Sequence, residues 1–136
     1  MLVGVMAGVR DGRAARTPQV EAEATYAPKL KKEDGRIIWT QAAAAVQNRI
    51  RGLNPWPGCF CEAPAGSGRA LKIFKAQVEP AAGAPGVVLA GGPDGPLVGT
   101  GDQALRLIEV QPEGRKVMTG AEYVRGHGLK PGDRLG

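Results

Sequence analysis

Two prolines bracketing a tryptophan, Asn54-Pro55-Trp56-Pro57-Gly58, constrain this chain more than any other stretch. Each proline fixes its own φ near about −65° and pushes the preceding residue toward extended geometry, which holds Asn54 and Trp56 out of the helical region. Gly58 supplies a permissive exit. The joint follows an alanine-rich run and precedes the apolar run Cys59-Phe60-Cys61. It therefore makes a rigid corner that aims a helix at a strand. Trp56 is expected to be a large anchor packed under that corner, since buried aromatics usually serve packing.

The helix before the corner is the clearest in the chain. Thr40 is the expected N-cap, Gln41 to Ala45 favour helix, and Gly52 can terminate it. Ala42, Val46, Ile50 and Leu53 fall on one apolar face. A second helix is marked near residue 119, where Thr119-Gly120-Ala121-Glu122 fits a capping box. Met118 and Tyr123 are placed as its hydrophobic staple, and Gly126 and Gly128 as its stop. Pro131-Gly132-Asp133 then reads as a turn before Leu135.

Between the helices the pattern turns to strands, at 58–63, 69–79, 86–90, 95–100 and 104–111, separated by Gly- and Pro-bearing turns. Two of them slip phase. In Leu71 to Val78 the apolar positions run Leu71, Ile73, then Phe74, Ala76, Val78; in Leu105 to Val110 the slip falls between Leu107 and Ile108. A β-bulge produces such a slip and bends a short sheet toward closure. Burial on both faces would mix the phases in the same way. The expected fold class is mainly β: a small five- to six-stranded barrel of the oligonucleotide-binding type, with flanking helices at 40–52 and 119–127.

A chain of 136 residues fits one domain with one modest core. Leu2, Val3, Val5, Met6 and Val9 have loosely helical spacing with nothing nearby to pack on. Residues 1–20 are accordingly expected to be the remnant of an interdomain helix and linker, and 21–136 the barrel domain. Cys59 and Cys61 share a strand face in poor disulfide geometry, which reads as two reduced, buried thiols. With no secretory signal and no apolar stretch long enough to span a bilayer, the expected compartment is the cytoplasm, without membrane association.

Catalytic patterns are absent from the sequence. His127 is the single histidine, beside Gly126 and Gly128, and reads as a surface group at a helix C-terminus. There is no phosphate-binding glycine loop, nucleophile elbow or spaced metal-ligand set. Basic residues carry more information. Lys29, Lys31, Lys32, Arg36, Arg49 and Arg51 face only Glu33 and Asp34 in their segment, which holds most of the chain's net charge of +5. Arg69, Lys72 and Lys75 lie on a strand that the corner folds back beside them. A charged face of this kind suits phosphates, although a solvated surface has the same composition.

Several of these stretches together resemble a known family. Ala24-Thr25-Tyr26-Ala27-Pro28-Lys29-Leu30, Lys32-Glu33-Asp34-Gly35-Arg36-Ile37 with Trp39, and Asn54-Pro55-Trp56-Pro57-Gly58 are similar to the C-terminal domain of methionyl-tRNA formyltransferases. Gly83-Ala84-Pro85-Gly86, Thr100-Gly101-Asp102, Leu107 to Pro112, Met118 and Pro131-Gly132 with Leu135 keep the family's order. Ile38 departs from it, standing where the family usually has an acidic residue.

The resemblance implies a barrel that helps hold initiator methionyl-tRNA for an N-terminal formyltransferase domain. That domain uses 10-formyltetrahydrofolate and an Asn–His–Asp set, which maps onto no position here. The chain by itself is therefore expected to bind no cofactor or metal, to act as a monomer, and to be inactive alone. Lys29, Lys31, Lys32, Arg36, Arg51, Lys72 and Lys75 are the expected phosphate contacts. The alternatives are an accessory domain of a small-molecule formyltransferase, acting on a sugar nucleotide or a folate, and a non-functional fragment.

Overall fold

A computed structural model describes residues 2–127 and 129–136. Three helices, α1 (Leu2–Arg10), α2 (Ala43–Gly52) and α3 (Gly120–His127), accompany six strands. The strands are β1 (Cys59–Glu62), β2 (Ala70–Glu79), β3 (Val88–Ala90), β4 (Leu97–Gly99), β5 (Ala104–Pro112) and β6 (Met118–Thr119). They form one antiparallel sheet in the order β1-β2-β5-β4-β3, with β6 also on β5. The mainly β class is as expected from the alternating apolar runs.

Both phase slips are bulges, and they compensate each other. Ile73 pairs with Val110 and Lys75 with Glu109, so Phe74 is an extra residue on β2. Ala76 then pairs with Leu107, which makes Ile108 the extra residue on β5. Each bulge sharpens the local bend while the pair restores the register beyond it. Lys72 and Lys75, three apart, consequently both lie exposed while Ile73 and Ala76 are buried.

The two ends of the strand order are joined by residues 132–136. Gly132 N–H donates to Val88 O, Val88 N–H to Asp133 O, and Leu135 N–H to Gly86 O, at 2.8–2.9 Å. On the other side Gly136 and Glu62 exchange backbone hydrogen bonds of 2.9 and 2.6 Å, and Ala65 N–H reaches Arg134 O at 2.7 Å. This segment closes the barrel between β3 and β1, so neither edge is left as an unpaired row of amides. The core inside is formed by Leu71, Ile73, Leu105, Leu107 and Val110, with Val46 and Ile50 of α2 covering β2.

Four expectations need correction. Trp56 is not an anchor: it is 65% exposed, and the buried tryptophan is Trp39, at 6%. The corner closes from beneath through Gly58 N–H to Leu53 O at 2.9 Å, which puts half-buried Leu53 inside and Trp56 at the apex. Thr40 does not cap α2, which begins at Ala43, and Ala43 replaces Ala42 on the buried face. Asp102 Oδ1 accepts from Ala43 N–H at 2.7 Å, so the helix start is set by a loop 59 residues away. Finally, α3 continues through Gly126 to His127; Gly128, the other expected stop, lies outside the described residues, as does Met1.

Other expectations stand. Thr119 and Glu122 form the reciprocal capping box of α3. Leu2–Arg10 is helical, and none of its residues is buried. Cys59 and Cys61 are free and buried on one strand face. Among the described residues no helix is long and apolar enough to cross a membrane.

Candidate functional site

The basic segment is mounted on the barrel through a short 3-10 turn, Lys32–Gly35. Lys31 N–H donates to the Asp34 carboxylate at 2.7 Å, which commits that acid to the turn itself. Arg49 of α2 donates to the Asp34 carbonyl through both Nε, at 2.9 Å, and Nη2. Arg49 is therefore a structural residue, one of the six basic groups withdrawn from the surface pool. Gly35 lies so close to the Gly58 carbonyl that any side chain there would collide with it. Gly58 itself has φ of 79°, in the region that favours glycine. Turn, helix end and proline corner thus lock one another.

From this unit a row of outward residues crosses the sheet. Arg36 bridges to Phe60, Phe60 pairs with Lys72, and Lys72 with Gln111. Paired residues share a face, so the row presents cation, aromatic ring, cation and amide in succession. Above it lies a groove of about 500 Å³ lined by Lys32, Trp56, Pro57, Phe60, Lys72 and Gln111, among others. The Arg36 guanidinium approaches Glu62 of β1 at 3.5 Å.

Of the seven expected contact residues, the structure brings Lys32 and Lys72 to one groove, with Arg36 in the adjoining row. Lys29 lines a separate depression with Leu30, Arg49 and Leu53. Lys31 is exposed at the start of the turn. Arg51, exposed on the last turn of α2, donates to Asn48 Oδ1 at 2.9 Å. Lys75 lies past the bulge, in register with Glu109. All seven are exposed, which phosphate contact requires.

The sequence reading missed the aromatic floor. The sequence signal for it is a tryptophan between two prolines, which equally suits a packed anchor. It also missed a second depression of about 540 Å³, sharing Ala70 and Glu113 with the groove, which Arg69, Arg115 and His127 line together with Glu113 and Asp133. The first three are far apart in sequence, and no local pattern joins them.

His127 stacks on Tyr123, with ring centroids 4.6 Å apart, and has no asparagine beside it. Burial pushes the Cys61 thiol up to about 12 and raises that of Cys59, so neither is a thiolate nucleophile at neutral pH. Among the described residues no cluster of His, Cys, Asp or Glu could hold a metal ion. The groove beside Trp56 offers two lysines, two aromatic rings, an amide and one carboxylate.

Comparison with known proteins agrees with the residue-level resemblance. The model of the formyl transferase C-terminal domain family matches residues 29–128. Methionyl-tRNA formyltransferase of Thermus thermophilus is 46% identical over 116 residues, covering 85% of this chain and 37% of that protein. That of Solibacter usitatus is 44% identical over 138 residues, covering 100% of this chain and 43% of its own length. The chain thus spans about two fifths of the relatives it matches. Among solved structures, HypX from Aquifex aeolicus in complex with tetrahydrofolic acid has the same fold. Its TM-score is 0.64 at 23% identity, over 90% of this chain and 22% of that one.

Proposed function

The chain belongs to the formyl transferase C-terminal domain family, and we propose that it is the tRNA-binding domain of a methionyl-tRNA formyltransferase. In this reading it holds initiator methionyl-tRNA, as a monomer in the cytoplasm, while an N-terminal domain transfers the formyl group from 10-formyltetrahydrofolate. The barrel contributes position and affinity; the formyl donor belongs to the partner domain.

The observation that carries this reading is the extent of the match. Relatives named for a tRNA substrate align over 85 to 100% of the chain, including the lysine-bearing turn. The physical support is that the acids of that turn are partly consumed internally while its lysines stay exposed. Lys29, Lys31, Lys32, Arg36, Arg51, Lys72 and Lys75 are the proposed phosphate contacts. The barrel fold on its own does not choose between tRNA and a smaller formyl acceptor.

Binding of initiator tRNA should therefore weaken steeply with salt, because each neutralised phosphate releases condensed counterions. Charge reversal at Lys31 or Lys32 should each flatten the log–log salt slope by about 0.7–0.9. Fluorescence anisotropy with labelled tRNA over a salt series measures this. Salt-independent or absent binding by a demonstrably folded sample would sink the reading. Adding the chain to a matching catalytic domain and measuring formyl-methionyl-tRNA formation separates it from an accessory role in small-molecule formylation.

A further inference from the structure

Trp56 has no packing role that accounts for it. The residue is 65% exposed, whereas Trp39 supplies the barrel with a buried indole. It is also rigidly mounted, between two prolines and above a corner closed by Gly58 N–H to Leu53 O. Beneath it, Phe60, Pro57 and Pro112 give the groove an apolar floor, with Lys32 and Lys72 among the residues lining it. Neither lysine is engaged in an ion pair among the described residues. The one carboxylate in the groove lining, Glu113, accepts from Ala70 N–H at 3.3 Å.

This arrangement separates an aromatic face from flanking positive charge as a nucleotide separates its base from its phosphates. A proline-rich peptide would use the aromatic floor and leave two lysines unanswered. Paired bases have both faces covered by their neighbours, so only a splayed base can stack on a protein ring. We propose that the Trp56 groove takes one unpaired nucleotide of an RNA strand, its base stacked on Trp56 and its phosphates held by Lys32 and Lys72. The inference rests on the tRNA reading above and adds a stacking site to what would otherwise be contact with the backbone alone. A groove of about 500 Å³ has the size of a small-ligand site.

Intrinsic fluorescence isolates the site, since the chain has two tryptophans and Trp39 is buried. Titrating the chain with initiator tRNA, and separately with a single-stranded RNA trinucleotide, should quench Trp56 saturably. W56A should abolish the quenching and weaken tRNA binding about 5- to 150-fold, the range of one base–aromatic stack, with the salt slope unchanged. W56F should keep most of the affinity, and K72E should instead lower the slope by about 0.7. Circular dichroism verifies that each variant is folded, which an exposed ring makes expected.

Wild-type affinity in W56A, with tRNA leaving wild-type fluorescence unmoved, overturns the stacking site and leaves the groove to a protein surface; tRNA binding then still stands. If the folded chain binds no tRNA, the broader reading fails instead. The trinucleotide then decides the groove: quenching supports it, and silence overturns it.

Discussion

Helices α2 and α3 begin in opposite ways. The first turn of α3 is self-sufficient: Glu122 N–H donates to Thr119 Oγ1 at 3.2 Å, and Thr119 N–H returns to Glu122 Oε2 at 2.8 Å. The first turn of α2 has no side-chain cap of its own and no acidic residue. It borrows both from the loop between β4 and β5, where Asp102 accepts from Ala43 N–H and Gly101 N–H donates to Gln41 O at 2.9 Å. A local cap stabilises a helix wherever that helix goes. A borrowed cap also fixes where the helix sits, and α2 carries Arg49, the clamp on the basic turn. The surface proposed to meet RNA therefore depends on a loop on the far side of β5 from β2.

Breaking the borrowed start should produce the largest effects. In G101A the new methyl would meet the Thr40 carbonyl, a backbone group that cannot swing aside. A loss of about 2–3 kcal/mol is expected from such overpacking, a drop of several degrees in thermal midpoint at this size. D102A should cost less, about 1–2 kcal/mol, by leaving the N–H of buried Ala43 without its acceptor. D102N keeps an acceptor oxygen and should recover most of that loss. Denaturant unfolding of the three variants ranks them. If D102A equals wild type, the loop does not set the start of α2.

The same contrast explains what was legible in the sequence. Capping at Thr119–Glu122 and the slips at Phe74 and Ile108 are written in residues within a few positions of each other, so local pattern reveals them, although it takes the strand pairing to tell a bulge from two-sided burial. The start of α2 was misplaced to Thr40 because its acceptor lies 59 residues away. Barrel closure by residues 132–136 was likewise invisible, since Pro131-Gly132-Asp133 carries only a turn signal while its partners are Gly86, Val88 and Glu62. Candidate site residues could be named from type and exposure. Their grouping could not: Lys32 and Lys72 meet only because Gly35 packs on Gly58, and Lys72 and Lys75 share a face only because Phe74 bulges. Trp56 is read as a buried anchor for a related reason. Proline on both sides implies rigidity but says nothing about which side of the corner faces the core.

The self-capped helix should give the smallest effects, and their pH dependence is distinctive. T119A removes an exposed cap whose N–H groups water can reach, so a loss of about 0.5–1 kcal/mol is expected, below that of D102A. The backbone and hydroxyl donors of Thr119 hold the Glu122 carboxyl below its ordinary value of 4.5. A group whose folded pKa is lowered stabilises the fold above its unfolded pKa, and that contribution disappears as pH falls through the folded value. The first turn of α3 should therefore loosen only below about pH 4.5, the ordinary carboxylate value, visible as amide shifts at Thr119 and Glu122. E122Q should remove the pH dependence while leaving the Thr119 cap, because Gln can still accept at the same position. A midpoint for those amides at or above the ordinary carboxylate value would mean the carboxylate gains nothing from the turn. The self-sufficiency of α3 would then rest on the Thr119 hydroxyl alone.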